Sequence, residues 1–191
     1  VVTGVQTCAL PIYLRQEREY LNVLLVEQPN TDFAYTVVRQ FLFDAFHFYL
    51  HQKLTKSKDE RLAAFAEKAL KEVTYHLRYS SEWMIRLGDG TEESHAKTQQ
   101  ALDDLWMYSG EALQADEVDA ELAEKGIGVD LGAIQPLVEE KVNTILQEAT
   151  LKKPTDTFMQ SGGKQGRHTE HMGFILTELQ YMQRTYPGLE W

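Results

Sequence analysis

The sequence predicts an all-α protein built as a helical bundle. Three observations carry this: long segments repeat apolar residues at three- and four-residue spacing, glycine and proline fall between those segments, and no stretch alternates as a strand does. A short first helix is expected from about Leu14 to Val26, ending at Glu27-Gln28-Pro29-Asn30 because proline disfavours helical geometry at the residue before it. Asp32 is placed to cap a second helix over about Phe33 to Leu54. A third opens at Asp59 and stops at Gly88-Asp89-Gly90, a C-terminal glycine followed by a turn.

Thr91 then caps a fourth helix reaching about Leu113. A short acidic helix runs from Asp116 to Lys125, closed by Gly126, and another covers about Ala133 to Glu148. Pro136 belongs in the first turn of that helix, which leaves its start open. Residues 151–167 contain Pro154 and Ser161-Gly162-Gly163-Lys164-Gln165-Gly166 and read as a long loop or arm. Thr169 caps the last helix, which ends before Pro187-Gly188.

With 191 residues, one domain with a substantial core is the expectation. A formal charge of −10 opposes a phosphate-binding surface, so nucleic acid is not an expected partner. No apolar stretch approaches the ~20 residues of a spanning helix, so a membrane is not expected either. The single cysteine is Cys8, which leaves no disulfide framework or thiolate metal site and fits a reducing cytoplasm. Residues Val2 to Ile12, VTGVQTCALPI, read as the conceptual translation of a short-read sequencing adapter, whose last base predicts a following codon that begins with T; Tyr13 satisfies it. Residues 1–12 are therefore expected to be an artefact and 13–191 a natural chain that begins further upstream.

The richest chemistry lies in the run Phe41 to Leu50, whose only polar members are Asp44 and His47. Three apart, they share a helix face, and a carboxylate in such a run is expected to meet a cation or a metal, since burying it bare costs several kcal/mol. On the third helix, Leu62, Ala66, Ala69, Val73, His76, Ser80, Trp83 and Leu87 draw a predicted seam that carries His76, with Glu72 one turn before it. Bundles that hold two metals use a Glu from each of two helices and a Glu-x-x-His from each of the other two. Asp44, His47, Glu72 and His76 supply part of that set: Glu72 and His76 are four apart rather than three, and Tyr75 stands where the motif puts its histidine.

The literal Glu-x-x-His, Glu92 to His95, falls in a first turn and reads as a solvated helix start. Mid-helix, Asp103 and Asp104 offer carboxylates, but Trp106 and Met107 stand where histidine would be needed. His168, Thr169, Glu170 and His171 look like a metal cluster, yet at a helix start the two rings diverge. The glycine-rich basic segment Gly162 to Arg167 could cradle a phosphate on its N–H groups, although an arm that docks on a partner is preferred. The aromatic residues Phe41, Phe43, Phe46, Phe48, Tyr49, Tyr75, Tyr79 and Trp83 are expected in the core, with any surplus marking an interface.

Together, Asn22 to Asn30 (NVLLVEQPN), Arg39-Gln40 with Asp44-Ala45-x-His47, Lys71-Glu72 with Tyr75-His76-Leu77-Arg78, Arg86-Leu87-Gly88-x-Gly90-Thr91, and Gly162-Gly163-Lys164 to His168-Thr169-Glu170-His171 with Trp191 resemble the C subunits of bacterial phenylacetyl-CoA ring 1,2-epoxidases. The likeness runs from Arg15 to the C-terminus. It implies a ferritin-like bundle whose first helix lies upstream of this chain, in a structural, non-catalytic subunit of aerobic phenylacetate catabolism. It further implies that this subunit binds and stabilises the related catalytic A subunit, that the A subunit holds the di-iron centre, and that a reductase brings electrons from NADPH. No cofactor is then expected in this chain, and Asp44, His47, Glu72 and His76 are a degenerate remnant. The competing expectation is a di-iron enzyme using Asp44, His47, Glu72 and Asp103 or Asp104, together with a Glu on the upstream helix.

Overall fold

The computed structural model describes residues 14–187. The expected adapter-derived segment and the expected upstream helix lie outside these residues, as does Trp191. Among the described residues no strand forms, and the regular elements are helices joined by turns and short 3-10 segments. They gather into two compact units, one formed by residues 29–160 and one by residues up to 28 together with those from 161 onward.

In the larger unit, α1 (Phe33–Leu54) begins where the Asp32 carboxylate accepts the Tyr35 N–H. It packs against α2 (Glu60–Gly88), α3 (Glu92–Leu105) and α5 (Leu131–Glu148), with the short α4 (Glu117–Glu124) between α3 and α5 in sequence. Ala34, Val37, Val38, Phe41, Leu42 and Ala45 form the buried stripe of α1 at helical spacing. Asp59 caps α2 through the N–H groups of Arg61 and Leu62, Thr91 caps α3 through Ser94, and Asp130 caps α5 through Gly132. The fourth predicted helix is shorter than expected: α3 stops at Leu105, and buried Trp106 opens a 3-10 turn. Pro136 lies in the second turn of α5 rather than the first, forfeiting the bond that its nitrogen would give to the Gly132 carbonyl.

The α2 seam also differs from expectation. Ala66, Val73 and Ser80 are buried as predicted, but the remaining buried positions are Leu77, Ser81, Met84 and Gly88, while His76 is exposed. A strict three-and-four repeat has a mean period of 3.5, whereas a straight helix turns every 3.6 residues and drifts by ~20° per heptad. By the middle of this 29-residue helix the drift has moved the buried stripe one position on. At Gly88 the helix meets Ala149 so closely that a Cβ would collide with the Ala149 carbonyl oxygen.

In the smaller unit, the expected helix over residues 14–26 is replaced by two 3-10 turns, Glu17–Glu19 and Leu24–Glu27, with extended backbone flanking them. Opposite lies α6 (Glu170–Thr185), which buries Met172, Leu176 and Gln180. Gln180 donates from Nε2 to the Arg15 carbonyl at 2.7 Å. No helix among the described residues is long and apolar enough to cross a membrane.

Candidate functional site

Asp44 sits on the buried side of α1, 1% exposed. Contrary to the expectation of a cation or metal, two neutral groups satisfy it: Ser80 Oγ donates to Oδ2 at 2.8 Å and Gln40 Nε2 to Oδ1 at 2.6 Å. Burial pushes its carboxyl above the usual carboxylate range, against the pull of those two bonds and of nearby His76. An acid raised in the folded state adds stability that is fully present below the unfolded value of 3.8 and is lost as pH rises through the folded one, so at neutral pH the charge is a cost. Asp44→Asn is therefore expected to be neutral or stabilising by up to about 1 kcal/mol, since an amide can serve Ser80 and a flipped Gln40. Asp44→Ala, which orphans the Ser80 hydroxyl, is expected to lose about 1–3 kcal/mol. Urea denaturation at neutral pH measures both, and an unstable Asn variant would show that the negative charge itself is needed.

One turn on, His47 is half-buried, and His51 is buried with its ring edge-on to that of His47 at 4.2 Å. His51 Nδ1 bonds the His47 carbonyl at 2.9 Å, which holds the ring in place. His51 is not among the residues expected at the site, although its position four residues after His47 on the same helix was the available signal. Burial pushes the His47 imidazole down to about 4, helped by the neighbouring His51 and His76. Below its ordinary 6.5 the unfolded chain takes up a proton that the folded ring refuses. Stability is thus fully present above about pH 6.5 and is lost as pH falls toward about 4. Because the ring is only half-buried, screening limits the loss to about 1 kcal/mol. His47→Gln should flatten the urea midpoint over that pH interval; an unchanged slope would contradict this.

The other two predicted ligands, Glu72 and His76, are exposed on α2; His76 acts on Asp44 and His47 as a nearby charge, and neither residue bonds Asp44. Asp103 and Asp104 are exposed on α3, where Asp103 accepts from Gln99, and Asp104 from Gln100 and the Tyr35 hydroxyl. That last bond leads the causes that push the Tyr35 phenol up to about 12. Among the described residues no group of three or more His, Cys, Asp or Glu is placed to hold a metal ion. This donor set does not fit a di-iron centre, because both Asp44 oxygens are taken by Ser80 and Gln40 and the other predicted carboxylates, Glu72, Asp103 and Asp104, are exposed. At the α3 start, Glu92 and Glu93 are solvated as expected, while His95 Nδ1 bonds the Gly88 carbonyl at 2.6 Å.

A second buried polar cluster lies in the smaller unit. Glu27, 2% exposed, accepts from Asn22 Nδ2 at 2.8 Å and His168 Nδ1 at 2.5 Å on one oxygen. Its other oxygen accepts from both the backbone N–H and the hydroxyl of Thr169, each at 2.8 Å. Thr169 does stand at the N-cap of α6, but its hydroxyl makes no capping bond, and Glu27 places a negative charge at that helix end instead. The signal in sequence is weaker than at Asp44, since Glu27 closes a short apolar run instead of interrupting a long one.

In the glycine-rich segment before His168 the N–H groups of Gln165, Gly166 and Arg167 are bonded to the carbonyls of Gly162 and Gly163. Its glycines serve close packing. A Cβ at Gly163 would strike the Asn22 carbonyl oxygen, and one at Gly166, whose φ is +72°, would strike that of Arg18.

Comparison with known proteins adds two findings. The profile of a family described as phenylacetic acid catabolic protein matches residues 8–191. The C subunit of the 1,2-phenylacetyl-CoA epoxidase of Escherichia coli (strain K12) is 47% identical over 179 residues, which cover 94% of this chain and 72% of that protein.

Proposed function

Since this chain belongs to the phenylacetic acid catabolic protein family, we propose that it is a structural, non-catalytic subunit of a phenylacetyl-CoA ring epoxidase complex. In this reading it binds and stabilises a related catalytic A subunit in the cytoplasm. That partner carries the di-iron centre, a reductase of the complex delivers electrons from NADPH, and no cofactor resides in this chain.

One observation carries the reading: the carboxylate best buried on the inner face of the bundle, Asp44, gives both oxygens to Ser80 and Gln40 and so braces α1 against α2. A ligand set lost in this way leaves a scaffold. Binding suits the aromatic groups left at the surface, since Phe33, Tyr75 and Tyr79 are 48%, 55% and 45% exposed. They run with Trp83 in successive ring contacts of 5.0 to 6.4 Å, and the guanidinium of Arg78 lies over Tyr75 and that of Arg86 over Trp83.

Co-expression with the catalytic partner, followed by separation of the chains and iron analysis of each, tests the proposal. A stable complex with iron confined to the partner is the expected result. About two irons per copy of this chain would overturn it.

A further inference from the structure

The imidazole of His168 is fully buried, and each ring nitrogen meets an oxygen that only accepts: Nδ1 lies 2.5 Å from Glu27 Oε1, and Nε2 lies 2.9 Å from the Tyr20 carbonyl. A neutral imidazole carries one N–H and would turn a lone pair toward one of these oxygens. The imidazolium carries two, and satisfies both. We propose that His168 is held as the cation and, with Glu27, forms a proton-dependent clasp that fastens the start of α6 to residues 20–27.

The Glu27 carboxylate is well prepared for a cationic partner, because its remaining bonds come from Asn22 and Thr169, which donate without adding charge. Around the cavity of about 450 Å³ that adjoins His168, the charged groups are Glu17, Arg18 and Arg167. The two guanidiniums disfavour the ring cation and Glu17 favours it, but only Glu27 touches the ring, and charge-assisted bonds at contact distance outweigh groups that reach it through water. The clasp draws on both ends of the smaller unit: the ring stands directly before α6, and its two acceptors flank the extended stretch that Gly163 overlies. Removing the ring proton leaves an orphaned acceptor opposite Glu27 or Tyr20, so opening α6 at its N-terminus is coupled to loss of one proton.

NMR spectroscopy of the full chain labelled with 15N-histidine tests this directly. At about pH 7 the His168 ring is expected to show two one-bond N–H correlations, and a single one would overturn the proposal. Hydrogen exchange of the first-turn α6 amides, corrected for intrinsic rates, supplies the second readout. Their protection should fall with rising pH, by up to tenfold per unit on the alkaline limb for one linked proton. His168→Gln, which retains donor capacity without a titratable charge, should abolish that dependence. The same alkaline decline in His168→Gln would show that another group controls α6. If His168→Gln fails to fold, the wild-type ring spectrum decides between the two forms.

Discussion

Glu27→Ala is expected to lower stability by about 3–5 kcal/mol, the range for stripping one partner from a buried, hydrogen-bonded charge pair. The side chain is 2% exposed and takes bonds from Asn22, His168 and Thr169, so its removal orphans several donors at once. Much of the cost is the penalty for leaving those donors dry. Glu27→Gln should cost less, because the amide oxygen still accepts while the amide nitrogen confronts donors on the other side. Urea denaturation gives the total, and hydrogen exchange resolves where it falls: protection should be lost across α6 and retained in α1 and α2. A uniform loss across both units would refute this local assignment.

Phe41→Ala carries the other large expected effect, also about 3–5 kcal/mol, because the ring is fully buried and alanine leaves a cavity in its place. Tyr79 is the instructive contrast. It is 45% exposed, so Tyr79→Ala should change the stability of the chain by no more than about 0.5 kcal/mol. If the exposed aromatic row contacts the catalytic partner, that same substitution should weaken the complex by tenfold or more, as loss of an interface aromatic commonly does. Paired measurements of unfolding and of partner affinity separate the two roles. Tyr79→Ala with unchanged affinity would remove this row from the proposed interface.

The long helices are readable because their signals are local. Asp32, Asp59, Thr91 and Asp130 each cap the helix that follows, and the spacing of Val37, Val38, Phe41 and Ala45 marks one face without reference to any neighbour. Residues 14–26 depart from the expected helix for the opposite reason. The backbone is extended at Val23, where Gly163 presses against Asn22 and Leu24 on either side of it, and nothing nearby in sequence announces a glycine so far along the chain. On α2 the buried stripe is legible to Val73, after which the drift between a 3.5 and a 3.6 repeat exchanges His76 for Leu77. That exchange removes one predicted ligand.

The candidate site is half legible for a related reason. That Asp44 has to be buried follows from its apolar run, but its partner Ser80 is a residue type that carries little positional information. Glu27 does not stand out because the apolar run before it is only Val23 to Val26, too short to insist on burial.

The bond between Glu27 and His168 joins residues 141 positions apart, which bears on how the chain acquires its structure. Closing a free loop of that length costs about 4 kcal/mol in chain entropy. During synthesis, roughly 7 to 30 seconds separate the two residues at ordinary elongation rates. Residues 20–27 must wait through that interval with Leu24 and Leu25 lacking their cover, while everything needed for α1 to α5 has already emerged. The order of assembly is therefore written into the connectivity: the helices between the two ends form first and shorten the loop, and the two ends meet last.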